Sequence, residues 1–476
     1  VQKIAPRIIV IGGGVTGLAA AWRLRQHFEK ANQPVALQLL EGSPQQGRSV
    51  KTIAREGFLL ETGADCFISE KPRGVGLARE LGLELDLIGT RPEFRRSFIR
   101  RGGSFHPIPE GFYLMGPSRF RPFLENTLLS WPGKFRAMME PLIPSHPQTD
   151  ESLASFVRRR FGQEMLDWMA QPLIAGIYGA SPDVLSLRAT FPQFLEMERT
   201  YGSVVFGLKK RHGSMSSASG ARYSLFLILR GGMQQLMDTL AAKLGSTIMS
   251  SGVGVREIRR ADGSWQVVKS NGEILTADAV CIALPAHAAT PVVHALDPDL
   301  ANELEAIPYA PAATLNVALR DMDISKPLAG IGFVVPQKEQ KLVLGCTCVQ
   351  NKFEGRAPKG FTLLRAFLGG VQNVAWMDEK DETLTANVVK ELSEWLGITG
   401  KPMFTHLERY RRALPQYAVG HLQRVVRIEE RLLRHPGLSM AGNWAYGIGV
   451  PDCIQAGERA ADLLISHLER LEPAVS

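Results

Sequence analysis

Apolar residues reach this chain in short bursts rather than long runs. Arg7–Ile11 (RIIVI) is the first burst, rich in β-branched side chains, and its pattern predicts a strand. A glycine-rich turn follows, and Leu18–Phe28 then sets apolar residues at helical spacing. Val35–Leu40 (VALQLL) is a run of strand length that reads as a second, buried parallel strand. Gly252–Ile258 (GVGVREI) and Ala279–Leu284 (AVCIAL) predict further strands of the same nucleotide domain. Near the C-terminus, Leu438–Ala441 predicts a short strand, then a glycine-broken loop. A helix is expected from about Pro451, because proline suits a first helical turn. Ala456, Gly457, Ala460 and Ala461 give that helix a small-residue face. Between these ends, Ala313–Leu319, Gly330–Val335, Leu342–Cys348 and Thr362–Leu368 read as strands of a mixed sheet. The stretch from about 95 to 205 reads as helical, and Ser214–Gly220 as a mobile loop.

The turn between first strand and first helix carries the strongest chemistry. Gly12, Gly14 and Gly17 satisfy G-x-G-x-x-G. The first glycine makes the turn, the second lets backbone approach a phosphate, and the third lets helix pack on strand. The helix start then offers free N–H groups to an anion. Glu41 ends the second strand, where a carboxylate accepts from a ribose 2′-hydroxyl and repels a 2′-phosphate. NADP is disfavoured; NAD and FAD both stay open at this point. The C-terminal element decides for FAD. A second helix start beside a glycine-rich loop (GNWAYGIGVPDC) suits a flavin's pyrimidine edge, which turns negative on reduction. The expected fold is therefore α/β: a Rossmann-like FAD domain in three sequence pieces, a mixed-sheet substrate domain and a helical insertion. The pieces are 1–75, 225–295 and 415–476 for FAD; 76–94, 206–224 and 296–414 for substrate; and 95–205 for the helical part.

Composition narrows the class. The chain has 476 residues, 45% of them apolar, enough for several cores. Its five cysteines (Cys66, Cys281, Cys346, Cys348, Cys453) form no CxxC, which fits a reducing cytoplasm rather than a disulfide framework. The ten histidines are dispersed, so no metal is expected. No run approaches a membrane span, and no cleavable signal pattern is seen. The net charge of +8 is uneven. Arg91, Arg95, Arg96, Arg100, Arg101, Arg119, Arg121, Lys134 and Arg136 face only Glu93, Glu110 and Glu125, leaving +6 in one segment. Aromatic residues are interleaved there. That reads either as a solvated face or as a surface for an anionic partner, a polycarboxylate or a phospholipid. No nucleic-acid module is present, so no nucleic-acid partner is expected.

Gly63–Ala64–Asp65, the strand near Val255 and the terminal GxGVPDCI loop, taken with the first turn and Glu41, resemble the flavin amine-oxidase superfamily. Gly176–Phe194 (GIYGASPDVLSLRATFPQF) and Pro415–His421 (PQYAVGH) narrow the resemblance to the protoporphyrinogen/coproporphyrinogen oxidase family, in its soluble Gram-positive-type branch. The resemblance implies non-covalent FAD held by Gly12, Gly13, Gly14, Val15, Thr16, Gly17, Glu41, Gly42, Arg48, Ser49, Gly63, Ala64, Asp65, Cys66, Val255, Tyr410, Asn443, Ile448, Gly449 and Val450. It implies a substrate site with Asp65 and Lys71 at the rim and Ile177 and Tyr178 in the wall. Asp65 would orient pyrrole N–H groups and Lys71 would pair with a propionate. Arg48 stands where the family has a second glycine, and Ala64 where it has proline. The implied reaction removes six electrons from coproporphyrinogen III and reduces O2 to H2O2, within heme biosynthesis. The implied partners are the porphyrinogen, O2, a weak contact with the inner membrane face and the next porphyrin enzyme. Three alternatives stay open: protoporphyrinogen IX as substrate, another flavin amine oxidase or desaturase, and a flavin-containing porphyrin carrier without activity.

Overall fold

The computed structural model describes residues 5–44, 47, 49–145, 150–210, 225–369 and 374–471. Arg48 and the loop expected at 214–220 lie outside the described residues. The nucleotide sheet has five strands in the order Met249–Ser251, Ala36–Glu41, Arg7–Ile11, Ala279–Ile282, Leu438–Met440, and every pairing is parallel. Three distant stretches thus build one sheet. Its central strand is buried on both sides, as the β-branched run RIIVI requires. The first helix, Val15–Lys30, and the C-terminal helix, Val450–Leu471, pack together on one face. The small-residue face allows this: a Cβ on Gly457 would stand 2.1 Å from the carbonyl oxygen of Thr16.

The strand expected near Val255 is present. Val255–Ala261 is not in the parallel sheet; it heads a separate antiparallel sheet with Ser264–Lys269 and Ile274–Ala277. The strand that joins the nucleotide sheet is Met249–Ser251, just upstream. Alternation explains why it lies outside the parallel sheet. In VREIRRA, Ile258 is buried while its neighbours are not, the mark of a strand solvated on one face.

The second layer is a seven-stranded mixed sheet. Its order is Phe404–Pro415, Tyr309–Arg320, Phe361–Gly369, Val343–Cys348, Gly332–Val334, Ser97–Arg101, Ser104–Pro107. The four expected strands are all here. The hairpin 97–107 joins this sheet, although its sequence was read as part of the helical stretch, and Phe404–Pro415 was not anticipated as a strand. One face packs Leu315, Val317, Leu364 and Ala366 against Leu384, Val388 and Leu392 of helix Asp381–Leu396. The other face carries Thr314, Asn316 and Arg365, polar yet buried. That face looks toward the nucleotide domain: Thr314 Oγ1 donates to the carbonyl of Thr62 at 2.8 Å, and Asn316 Nδ2 to that of Glu61 at 3.2 Å.

The helical part runs through Phe120–Glu125, Trp131–Met138, Leu153–Phe161, Gln171–Tyr178 and Pro192–Tyr201 around one core. Ser130, Ser152 and Ser186 cap helix starts here by accepting from backbone N–H groups. An ion network crosses it, with fully buried Arg160 on Glu140 and Glu198, and partly exposed Arg159 on Glu198 and Glu151.

Most of the basic excess between 91 and 136 is not a free surface. Arg100 meets Glu339 at 2.9 Å, and Arg136 donates to the carbonyls of Arg159 and Arg160. Arg101 binds the carbonyl of Leu128, and Lys134 that of Leu124. Arg91, Arg119 and Arg121 pair with Glu93, Glu110 and Glu125. Among the described residues, only Arg95 and Arg96 of the nine stand exposed without such a partner. Counting charges along the segment missed acceptors distant in sequence or on the backbone.

Candidate active site

The glycine turn is shaped by close backbone approach. Gly12 has φ +111°, and a Cβ there would lie 2.4 Å from the carbonyl oxygen of Ala283. A Cβ on Gly17 would lie 1.8 Å from the Gly12 oxygen. Gly14 contrasts with both, because a Cβ there would meet nothing within 4 Å. It is the cap residue of the first helix, which has no side-chain cap and no acid in its first turn. The N–H groups of Val15 and Thr16 therefore open onto space that suits an anion.

Glu41 is poised beside this opening. Its Oε2 accepts from the N–H of Gly13 at 2.6 Å, and its Oε1 from the N–H and hydroxyl of Ser43 at 2.8 and 2.5 Å. Gly42 brings in the third element: a Cβ on it would stand 3.3 Å from Cα of Gly254, the residue before Val255. Gly47 donates to the carbonyl of Gly13 at 3.0 Å. Ser49 accepts from the N–H of Ala64 at 3.1 Å, so the segment leads from the first turn to Gly63 and Ala64.

From Gly63 to Cys66 the site is made of side chains. Lys352 Nζ stands 2.8 Å from Asp65 Oδ2 and 3.2 Å from Cys66 Sγ. Arg365 reaches up from the sheet floor to the carbonyl of Gly63 and lies 3.4 Å from Asp65. Burial disfavours the Asp65 charge, but Lys352 and Arg365 prevail and hold the carboxyl well below its usual range. Burial and the Asp65 charge push the Cys66 thiol up to about 12, so it is neutral. Two donors of Arg365, Nε and Nη1, and the side-chain oxygen of its cross-strand neighbour Asn316 are buried without a hydrogen-bond partner. Tyr410 places its hydroxyl 3.3 Å from that of Thr62.

The C-terminal loop completes the arrangement. Asn443 presents its carbonyl to the Tyr417 hydroxyl, and Ile448 packs on the helical core. Gly449 donates to Asp452 Oδ2 at 3.2 Å, and Val450 opens the long helix, as expected from Pro451. Lys71 reaches this loop: its Nζ lies 2.6 and 2.5 Å from the two oxygens of Asp452. Tyr178 is buried, with its phenol kept neutral by burial and by Asp452, whereas Ile177 is exposed. A cavity of about 790 Å³ opens at the end of helix Gln171–Tyr178, between Gly179–Ser181, Lys341–Leu344 and Lys390. Ile177 and Tyr178 are not in its lining.

The structure thus gathers Asp65 and Cys66 in one cluster, and Lys71 with the 443–452 loop in another. Lys71 already has a carboxylate partner in Asp452, and Asp65 is held by two cations. Sequence reasoning missed Lys352, Arg365, Asp452 and Tyr417. One signal was available: Arg365 interrupts the apolar strand FTLLRAFLG at a buried position.

The flavin-containing amine oxidoreductase model matches residues 15–465. The chain belongs to that family. It is an FAD-dependent oxidoreductase, and the open helix start at Gly14 beside Glu41 fits the dinucleotide such a protein carries. The chain is 32% identical to coproporphyrinogen III oxidase of Bacillus subtilis, over 97% of this chain and 98% of that one. It is 29% identical to the Staphylococcus aureus coproporphyrinogen III oxidase, over 97% and 99%. A crystal structure from Exiguobacterium sp. 255-15, provisionally named a protoporphyrinogen oxidase, superposes with TM-score 0.85 at 30% identity, covering 98% of this chain and all of that one.

Proposed function

We propose that this flavoenzyme converts coproporphyrinogen III to coproporphyrin III with O2 as acceptor. The observation that carries the reading is the full-length likeness to two coproporphyrinogen III oxidases. When bound, FAD accepts two electrons per cycle, so three cycles and three O2 make the six-electron change and yield three H2O2.

The chain's own residues then need to bind, orient and exclude water, because pyrrole lone pairs already activate the bridging C–H bonds. Gly12–Gly17, Glu41, Gly42 and Val255 hold the dinucleotide. Ser49, Gly63–Cys66, Tyr410 and Asn443–Val450 frame the ring system. Arg48 lies beside them in sequence and adds a cation. Asp65 stays anionic and is suited to accept from pyrrole N–H groups at its remaining lone pairs. Lys71, 45% exposed, shares Asp452 and faces outward toward a propionate. Ile177 and Tyr178 supply the apolar wall. The adjoining cavity carries Lys341 and Lys390 beside Glu391 and Glu394, so the choice of coproporphyrinogen III rests on the full-length likeness.

Coproporphyrinogen III, protoporphyrinogen IX and a polyamine, each incubated aerobically with the holoprotein, test this. Fluorescent coproporphyrin formed fastest is expected. Preference for protoporphyrinogen IX would move the substrate; preference for the polyamine would overturn the reading; and no reaction with any would favour a porphyrin carrier.

The five free thiols support a reducing compartment, the cytoplasm. No helix among the described residues is long and apolar enough to cross a membrane. A peripheral membrane contact is part of the proposal, and product hand-over to the next enzyme belongs to the same picture. Its support is the stripe Trp131, Phe135, Met138 and Leu142, exposed by 71, 68, 38 and 75% along one helix and its following turn. Flotation with vesicles should therefore depend on Trp131 and Phe135 more than on salt. Unchanged flotation of a W131S/F135S variant would remove the contact.

A further inference from the structure

The turn Pro415–His421 (PQYAVGH) has no chemical task in the reaction above, yet it is tied into the site from two sides. Tyr417 is completely buried. Its hydroxyl donates to the carbonyl of Asn443 at 2.5 Å and accepts from the N–H of Gly447 at 2.8 Å. A phenol can do both at once. Among the described residues no backbone–backbone hydrogen bond links Asn443 to Gly447, so this oxygen bridges the two ends of the loop, while His421 Nε2 lies 3.2 Å from the Ala445 carbonyl between them. Gly447 itself sits at φ +153°, where a Cβ would stand 2.4 Å from Cγ of Asp452.

The same turn grips the wall of the substrate side. Gln416 Nε2 donates to the carbonyl of Tyr178 at 3.1 Å. The carbonyl of Tyr417 accepts from the N–H of Ser186 at 2.7 Å, and Leu185 pairs with Ala418. Asp150 accepts from the Ser186 hydroxyl at 2.7 Å and from the N–H of Gly420 at 3.1 Å. The Tyr417 ring is fixed in plane by stacking on His421, with centroids 4.1 Å apart and 10° between the planes. The two stretches that set this chain apart, GIYGASPDVLSL and PQYAVGH, are therefore in contact, and the second also holds the C-terminal loop.

We propose that Tyr417 is a positioning residue: its hydroxyl sets the Asn443–Gly447 loop in the conformation that receives the flavin, and locks it in register with the Tyr178 wall. A loop preset in this way binds without an ordering cost, and its error in placement stays small. The inference rests on the flavin that the family carries and not on the identity of the porphyrinogen.

Y417F keeps the ring and its stacking and removes the one oxygen, leaving a buried donor and acceptor unpaired. We expect FAD affinity to fall about tenfold or more. The visible absorption and circular dichroism of the bound flavin, and its midpoint potential, should also move. Q416M, which releases the carbonyls of Tyr178 and Leu414 but leaves the Tyr417 hydroxyl in place, should leave the flavin potential at the wild-type value. A Y417F protein that is merely less heat-stable, with wild-type spectrum and potential, overturns the proposal. So does a Q416M protein whose potential shifts as far. Hydrogen exchange on the unaltered apoprotein decides the matter even where Y417F does not fold. The Gly447 amide should be protected before FAD is added; protection that arises only on adding FAD contradicts presetting. None of these readouts uses substrate, so a failed porphyrinogen assay would indict the reaction and leave them standing.

Discussion

At Gly12–Gly17 the structure presents backbone to open space, while at Gly63–Cys66 it presents side chains locked against one another. The first turn contains no charge and depends on missing Cβ atoms. The second gathers Asp65, Lys352 and Arg365 within 3.4 Å contacts, and its parts come from a loop, a short helix and a sheet. The contrast separates two problems. Holding a diphosphate needs space and oriented N–H groups, which local sequence can encode. Holding a fixed charge in a buried site needs counter-ions, which only tertiary folding can deliver.

The largest expected effect breaks the first side of the contrast. Gly17→Ala places a carbon 1.8 Å from a backbone oxygen with no room to yield. A loss of more than about 4 kcal/mol is expected, seen as absence of folded, yellow protein. Next comes the ion cluster. Asp65→Asn leaves two buried cations without their anion and should cost about 3–5 kcal/mol in denaturant unfolding. Lys352→Met should cost less, because Arg365 still faces Asp65. In the double variant the costs should fall short of additive by about 2 kcal/mol. Strict additivity would mean that the pair is not coupled.

Legibility in the sequence follows the same division. The parallel strands, the glycine spacing, Glu41 and the small face around Gly457 were readable because each is a local pattern with one physical cause. Lys352 and Arg365 were not readable as partners of Asp65, since nothing near them in sequence points to it. Phe404–Pro415 escaped because FTHLERYRR spaces its apolar residues three apart, so the alternation that marks a strand is missing. The basic segment stayed undecided in the sequence because its acceptors, such as Glu339 and the carbonyl of Leu128, are set by folding.

A pH effect sharpens the account of the side-chain-built half. Burial pulls the His421 pKa from 6.5 to about 4. The unfolded chain takes up a proton there that the folded one refuses, so this contribution to stability is lost as pH falls from about 6.5 to about 4. Over the whole window it is worth about 3 kcal/mol. Glu61 acts in the opposite sense, because burial pushes it from 4.5 to about 7, and its contribution is lost as pH rises through that range. The two largely offset in the wild type. Unfolding free energies of wild type and His421→Gln, compared between pH 4.5 and 7, should therefore diverge, with the variant relatively more stable at the acid end. Parallel curves would refute a neutral buried imidazole.

The smallest effect concerns the one acidic side chain of the cradle. Glu41→Ala should weaken FAD by about 1.5–3 kcal/mol, measured by equilibrium dialysis of the apoprotein, since a charged hydrogen bond is lost while the glycine backbone stays. A loss as large as that of Gly17→Ala would mean that the cradle depends on this carboxylate as much as on its backbone.

The central claim is that this flavin site performs a six-electron porphyrinogen oxidation with O2. It is tested most directly by counting. Coproporphyrinogen III is mixed with the holoprotein in air, and porphyrin and peroxide are measured together from the first turnovers. The account predicts three H2O2 for each coproporphyrin III formed, with FAD released intact by acid afterwards. Porphyrin without peroxide, or peroxide without porphyrin, would contradict it.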